Sequence, residues 1–289
     1  MGSGGVKDVR IPTPEPPEGY NPGMLVLGLL LTMGQQAQEI LALPPPGYDH
    51  RVAYGTDPQQ FGDLRLPVGK GVGPFPVLVV IHGGYWRARY PLDYAGHMSA
   101  ALTPLGFAAW NIEYRRVSQP GGGYPGTLED VRAAVLHVAK MAGRYGLDAK
   151  RVFAIGHSAG GHLALWLAAE GLVQGAIGLA AVTDLEEGWR RKLGNGAVAD
   201  FMGCGLPECP ESYRKASPAA RLPVEVPVVL LHGTADTVVP ADLAESYMRR
   251  AGSKAELVRL EGAGHFELVD PRTKEWKRVA AMAARFLKP

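Results

Sequence analysis

Residues 154–163 read Ala-Ile-Gly-His-Ser-Ala-Gly-Gly-His-Leu, in which a serine stands among small residues. The apolar run before this serine is typical of a strand, and the run after it is typical of a helix. A Gly-x-Ser-x-Gly turn between a strand and a helix holds its serine at strained backbone angles, so the residues two before and two after it must lack bulk. Gly156 and Gly160 meet this requirement. Ser158 is therefore the predicted nucleophile, and a turn of purely structural importance is the alternative.

Apolar runs that predict strands recur on both sides of this turn. They occupy residues 51–55, 62–67, 75–82, 107–112, 151–155, 175–182, 226–232 and 256–260. Helical patterns lie at 127–144, 161–170, 241–251 and 276–286. The first two runs predict an antiparallel pair, and the later alternation predicts parallel strands with helices on both faces. The expected fold is therefore an α/β fold with a mostly parallel eight-stranded sheet.

Two parts of the chain do not follow this alternation. Residues 1–48 begin with a proline-rich stretch that predicts an extended arm. Within them, a helical stripe at 24–43 predicts a helix, which either covers the active-site mouth as part of a lid or only stabilises the body. We expect residues 49–289 to form the catalytic domain, with the polar stretch 184–223 as an insertion beside the site.

The balance of charge and the distribution of apolar residues limit the range of partners. With 30 basic and 28 acidic residues and no long like-charge run, the chain is not expected to bind nucleic acid. The apolar stretch 24–33 is much shorter than the ~20 residues of a membrane span, so none is expected. We expect a cytoplasmic protein, and a signal peptide is the alternative because Gln36-Ala37-Gln38 follows the apolar run.

Two cysteines, Cys204 and Cys209, occur in the insertion. They either close a small disulfide or remain thiols, because sequence spacing alone does not decide between these states. A zinc site would need further ligands nearby, and none is evident. No metal and no cofactor are therefore expected.

An acid and a base follow two later strands in the order that the serine requires. A serine hydroxyl becomes a good nucleophile when an imidazole accepts its proton and a third group orients that imidazole. Asp236 follows the strand at 226–232 and His265 follows the last strand, which gives the chain order Ser, Asp, His. Asp184 is the competing acid, and helix capping is the competing role of Asp236. Hydrogen-bonded structural roles are expected for the remaining strand, elbow and helix histidines: His82, His137, His157, His162 and His232.

A glycine-containing loop, residues 82–86, follows the strand that ends at Ile81 and reads His-Gly-Gly-Tyr-Trp. Its amides, with the amide of Ala159, predict an oxyanion hole. A glycine turn without a catalytic role is the alternative. Trp86, His157 and Phe266 are the candidate residues of the substrate pocket.

Together these loops resemble the α/β-hydrolase superfamily over about residues 50–289. The His-Gly-Gly-Tyr-Trp stretch, followed by Gly-His-Ser-Ala-Gly at 156–160, is similar to the arylformamidase and esterase branch related to hormone-sensitive lipase. Residues 113–116 and 124–130 also resemble that branch. The resemblance implies that the amides of Gly84 and Tyr85 line the oxyanion hole. Tyr85 replaces the third glycine of lipases, which favours the formamidase-like branch over enzymes for large lipids.

The sequence thus predicts a cofactor-independent serine hydrolase that cleaves small acyl or aryl carboxylic esters through an acyl-enzyme. The expected partner is a small-molecule ester or formamide. An aryl formamide hydrolase of the kynurenine pathway type is the alternative with the same chemistry. A peptidase is disfavoured because the chain has no room for a propeller domain. A non-catalytic binding protein built on this fold is the alternative from another class, although such proteins usually lack a triad member.

Overall fold

Apolar runs form one central sheet in the computed structural model, which describes residues 39–67, 69 and 71–288. The strands of the described part are β1 (His50–Ala53), β2 (Phe61–Arg65), β3 (Phe75–Ile81), β4 (Ala108–Ile112), β5 (Leu147–His157), β6 (Ala176–Leu179), β7 (Val228–Gly233) and β8 (Ala255–Leu260). Their order across the eight-stranded sheet is β1-β2-β4-β3-β5-β6-β7-β8. Strand β2 is antiparallel to both neighbours, and the other adjacent pairs are parallel. The predicted, mostly parallel sheet is confirmed.

Helices cover both faces of this sheet. They are α1 (Ala95–Leu102), α2 (Gly126–Tyr145), α3 (Ala159–Ala169), α4 (Leu185–Arg190), α5 (Leu193–Met202), α6 (Pro210–Ala216), α7 (Ala241–Met248) and α8 (Trp276–Ala284). Along β3, Val77 and Val79 belong to a core cluster shared with α2, α3 and α7. Leu78 and Val80 belong to a second cluster, shared with α1 and α8. Burial on both faces explains why β3 is apolar at nearly every position.

Helix α1 has no counterpart among the predicted helices. Its sequence, Ala-Gly-His-Met-Ser-Ala-Ala-Leu, contains only two large apolar residues, Met98 and Leu102, and both are fully buried. A helix this short, with small residues at most positions, gives little periodic signal. The stretch 184–223 also proves more regular than predicted, since it contains α4, α5 and α6.

The predicted N-terminal arm and most of the predicted helix at 24–43 lie outside the described residues. The described end of that helix is a 3-10 turn, Glu39–Leu41, rather than α-helix. Its Ile40 is fully buried in the second core cluster.

Cys204 and Cys209 form a disulfide, which decides the alternative that the sequence left open. The bond closes the loop between α5 and α6. Within the described ranges, no helix has both the length and the apolar character needed to cross a membrane.

Candidate active site

Ser158 lies at the sharp turn between β5 and α3. Its φ of 57° and ψ of −118° fall in the left-handed half of backbone space, which non-glycine residues rarely adopt. A Cβ at Gly156 would overlap the carbonyl of Gly160, and a Cβ at Gly160 would overlap the carbonyl oxygens of Ile81 and His82. The close approach of β5, α3 and the end of β3 therefore requires glycine at both positions, as the elbow motif predicts.

Asp236 and His265 face each other across the ends of β7 and β8. His265 Nδ1 lies 2.7 Å from Asp236 Oδ2, and the Asp236 side chain is fully buried. Asp236 Oδ1 accepts hydrogen bonds from the amides of Val238 (2.8 Å) and Val239 (2.9 Å). Burial would raise the pKa of Asp236, but hydrogen bonds from His232 and His265 outweigh burial and hold this pKa well below its ordinary value. Asp236 is therefore a carboxylate that can orient the imidazole.

The structure supports neither Asp184 as the acid nor a helix-capping role for Asp236. Asp184 caps helix α4, where its Oδ1 accepts from the Glu187 amide at 3.1 Å. Asp236 does not cap the next helix, because α7 begins at Ala241 with Pro240 as its N-cap. The residue that contacts His265 is Asp236.

Ser158 and His265 border a common cavity of about 340 Å³. Its lining consists of Leu41, Gly84, Tyr85, Arg89, Tyr90, Tyr94, His157, Ser158, Val238, His265 and Phe266. No hydrogen bond joins the Ser158 and His265 side chains in the described structure. Contacts between catalytic groups commonly tighten only when substrate binds.

The loop at residues 82–86, which the sequence predicts to form an oxyanion hole and which is called the oxyanion loop below, follows β3 and turns beside Ser158. Gly84, Tyr85 and Trp86 all have positive φ, at 107°, 54° and 56°. A Cβ at Gly84 would overlap the ring of Tyr90, so only glycine fits there. Within the described residues, no acceptor receives the amides of Gly84, Tyr85 or Ala159. Of these three residues, Gly84 and Tyr85 line the cavity.

Buried polar contacts of Glu113 stabilise the loop at residues 82–86. At the end of β4, Glu113 Oε1 lies 2.9 Å from His82 Nε2, and its Oε2 lies 3.3 Å from Arg116. Burial would raise the pKa of Glu113, but His82 and Arg116 together hold it below its ordinary value. The loop therefore rests on a fully buried polar cluster. Residues 113–116 resemble the esterase branch in sequence, but their contacts with this loop were not predicted.

Two of the three predicted pocket residues, His157 and Phe266, line the cavity. The prediction for Trp86 is wrong. Its side chain is fully buried and stacks on Phe201, with ring centroids 4.6 Å apart. The positive φ angles of the loop turn this ring into the core, where it also meets the edge of His162.

Five further residues line this cavity but were not predicted as site residues: Leu41, Arg89, Tyr90, Tyr94 and Val238. Leu41 lies at the end of the stretch 24–43, for which the sequence left a lid role open. Arg89, Tyr90 and Tyr94 lie in a stretch without a recognisable motif, so only the fold brings them to the site.

The other histidines differ in their surroundings. His82, His157, His162 and His232 are buried and hydrogen-bonded, as expected for structural roles. Burial lowers the pKa of His162 to about 4. Within the described residues, the buried Nδ1 of His137 has no partner, so the expected hydrogen-bonded role does not hold for that atom.

The sequence is similar to curated proteins that are named as esterases. Esterase LipC of Mycobacterium tuberculosis is 29% identical over 248 residues, which cover 76% of this chain and 60% of LipC. The probable isoprenylcysteine alpha-carbonyl methylesterase ICMEL1 of Arabidopsis thaliana is 28% identical, over 75% of this chain and 50% of its own length. The chain thus spans about half to three fifths of the length of these curated relatives.

Solved structures share the fold. A truncated carbohydrate esterase from gut microbiota superposes with a TM-score of 0.71 at 22% identity, covering 84% of this chain and 99% of the other. Esterase Est2 of Thermogutta terrifontis, bound to propionate, gives a TM-score of 0.68 at 24% identity, with 84% and 94% covered. These likenesses confirm the α/β-hydrolase fold. The sequence also matches the BD-FAE family over residues 63–250, and the chain belongs to that family.

Proposed function

We propose that this chain is a serine hydrolase that cleaves small carboxylic esters through an acyl-enzyme. The main support is the arrangement of the candidate catalytic residues. The strained Ser158, the imidazole of His265 with its buried partner Asp236, and the loop residues Gly84 and Tyr85 come together at one cavity, which all of them except Asp236 border. The esterase names of the relatives support the same reaction class.

In the proposed reaction, Ser158 Oγ attacks the ester carbonyl carbon while His265 Nε2 accepts the hydroxyl proton. Asp236 holds the hydrogen of His265 on Nδ1, so that Nε2 presents its lone pair. The amides of Gly84, Tyr85 and Ala159 bind the oxyanion. One such donor typically contributes about 3 to 4 kcal/mol to transition-state stabilisation.

The imidazolium of His265 then returns its proton to the leaving alcohol. A water molecule, activated by the same imidazole, attacks the acyl-enzyme and releases the acid. The proton taken from that water returns to Ser158 Oγ, so one water is consumed in each turnover.

The cavity supports a compact substrate. A volume of about 340 Å³ lies at the small end of ligand pockets, and the rings of Tyr85, Tyr90 and Phe266 offer flat apolar walls. Among its described lining residues, Arg89 is a cation and none is a carboxylate. The guanidinium of Arg89 lies over the Tyr90 ring, 4.6 Å from its centroid. This charge distribution favours neutral or anionic esters over cationic ones.

The insertion is proposed as part of the catalytic domain at 49–289, because it touches the oxyanion loop. Gly194 lies so close to the ring of Tyr85 that a Cβ there would overlap it. Arg87 donates to the Gly194 carbonyl oxygen at 3.0 Å and pairs with Asp200 at 3.0 Å.

The cytoplasmic location of the chain stays a prediction from its sequence.

A series of p-nitrophenyl esters from acetate to palmitate tests the proposal. We expect kcat/KM to be highest for the shortest acyl groups, because the cavity is small. A preference for palmitate would contradict the small-acyl assignment.

Aryl formamide hydrolysis is the second candidate, favoured by Tyr85 after two glycines in the oxyanion loop. The comparison of kcat/KM on N-formylkynurenine with that on p-nitrophenyl acetate separates the two candidates. Negligible formamide turnover would remove the second candidate.

A further inference from the structure

Two buried side chains, Tyr94 and His157, link three loops of the candidate site. The Tyr94 hydroxyl lies 2.6 Å from the Gly83 amide and 3.0 Å from His157 Nδ1. On the other side of the ring, His157 Nε2 lies 2.9 Å from the main-chain oxygen of His265. A chain of three hydrogen bonds therefore connects the oxyanion loop, the residue before Ser158, and the proposed base.

The directions of these hydrogen bonds follow from the groups at the two ends. A carbonyl oxygen only accepts, so His157 Nε2 carries a hydrogen and donates it to His265. Burial lowers the pKa of His157 well below its ordinary value, which keeps the ring neutral and leaves Nδ1 as an acceptor. The Gly83 amide only donates, so the Tyr94 hydroxyl accepts from Gly83 and donates to Nδ1. All four groups are satisfied by this arrangement.

The chain lies where the proposed reaction needs fixed geometry. A Cβ at Gly83 would come within 2.6 Å of the His157 oxygen and 2.9 Å of Ser158 Cβ, so the oxyanion loop packs directly on the elbow. Asp236 fixes the side chain of His265, whereas His157 holds its main chain. The two contacts restrain different parts of the same residue.

Both ring nitrogens of His157 are engaged, so this imidazole has no free lone pair with which to act as a base. The titratable groups around it are Tyr94, His265, Asp236 and His232, and Asp236 is already bonded to His265. A role for His157 must therefore act through its neighbours.

We propose that Tyr94 and His157 are positioning residues. The His157 ring is held in a single hydrogen-bonded tautomer, and its contacts fix the oxyanion loop, Ser158 and His265 relative to one another. This proposal rests on the proposed function, since it assigns Ser158 and His265 to the reaction. Loss of the chain should slow the chemical step more than it weakens substrate binding, because the oxyanion and the imidazolium form only during reaction.

Substitution of His157 offers a matched pair of variants. In His157→Gln the side-chain amide can replace Nε2–H as the donor to His265, whereas in His157→Asn the shorter amide cannot reach that oxygen. We expect the Gln variant to retain at least about fivefold more kcat on p-nitrophenyl acetate than the Asn variant, by the loss of a buried hydrogen bond. Equal kcat values for these two variants would overturn the proposal.

The Tyr94→Phe variant removes the hydroxyl at the centre of the chain. We expect kcat to fall about tenfold with KM within about twofold, because the Gly83 amide and His157 Nδ1 both lose their partner. Tyr247→Phe is the control, since the buried Tyr247 hydroxyl has no partner within the described residues and belongs to α7. A wild-type kcat in Tyr94→Phe would contradict the proposal.

Nitrogen-15 NMR of the histidine side chains shows directly which ring nitrogen carries the hydrogen. This measurement does not depend on enzymatic activity. We expect His157, assigned from the spectrum of His157→Gln, to be a neutral ring protonated on Nε2 in the wild-type protein. Protonation on Nδ1 would overturn the proposal even if the Tyr94 variant failed to fold. If the wild-type protein hydrolysed no ester, the proposed function would fail, whereas an Nε2–H signal would still establish the hydrogen-bonded chain.

Discussion

His265 Nδ1 lies 2.7 Å from Asp236 Oδ2, at the carboxyl ends of two adjacent parallel strands, β8 and β7. Asp184 follows β6, one strand further along the sheet, but its carboxylate caps α4 instead. Both aspartates follow buried strands in the sequence, but mutation of Asp236 is expected to lower activity and mutation of Asp184 is not.

Asp236→Asn should lower kcat on p-nitrophenyl acetate by about 10³- to 10⁴-fold, as loss of the orienting carboxylate does in serine hydrolases with a triad. The amide can donate to His265 Nδ1 and so favour the wrong tautomer. Asp184→Asn should change kcat little, because asparagine is also a good N-cap. The reverse pattern would reassign the acid.

Arg89 should set the charge preference of the site. Because its guanidinium borders a cavity whose described lining contains no carboxylate, Arg89→Gln should lower the kcat/KM ratio of 4-acetoxybenzoate to its neutral methyl ester. A decrease of about twofold to fivefold is expected for an exposed charge interaction. Arg151→Gln, an exposed position on β5 before the elbow, is the control. An unchanged ratio in the Arg89 variant would show that this side chain does not sense substrate charge.

The glycine after the elbow serine should tolerate no side chain. In Gly160→Ala the new Cβ would overlap two carbonyl oxygens, so we expect a loss of stability of about 2 kcal/mol or more, together with loss of activity. Gly143→Ala in α2 is the matched control, because nothing lies within 4 Å of its Cβ position. That variant should gain about 0.5 to 1 kcal/mol. Urea unfolding of both variants measures the contrast, and similar stabilities would contradict it.

His162 should make the protein less stable in mild acid. Burial lowers the pKa of His162 to about 4, whereas an exposed histidine titrates near ~6.5. Between these values the unfolded state binds more protons, so the free energy of unfolding falls as the pH falls from about 6.5 towards 4. The share of His162 is on the order of 3 kcal/mol.

Urea titrations at several pH values measure this dependence against His162→Gln. The Gln amide can still donate to the Ala216 oxygen that His162 Nε2 contacts. The variant should therefore lose stability less steeply on acidification than the wild-type protein. Equal slopes would show that His162 does not couple folding to pH.

The elbow and the Asp236–His265 pairing were predictable because both depend on order along the chain. Steric demands select Gly156 and Gly160 on either side of the serine, and parallel strands bring their carboxyl ends to one edge. The antiparallel β1–β2 pair was also predictable, from two short strands and the turn between them.

Trp86 and Tyr94 illustrate what local sequence does not encode. Three successive positive φ angles direct the Trp86 side chain into the core instead of the cavity. Its stacking partner Phe201 lies in the distant helix α5. Tyr94 reaches Gly83 and His157 only because helix α1, which has almost no periodic pattern, packs beside the sheet. The Trp86–Phe201 and Tyr94–His157 contacts join residues far apart in the chain, so tertiary packing decides them.

Reaction with a fluorophosphonate probe, followed by intact-mass and peptide analysis, tests the central claim most directly. We predict one covalent adduct on Ser158, with no adduct in a folded Ser158→Ala variant and much slower labelling in Asp236→Asn. An unlabelled wild-type protein that also hydrolyses no activated ester, or an adduct on another residue, would contradict the assignment of Ser158 as the nucleophile.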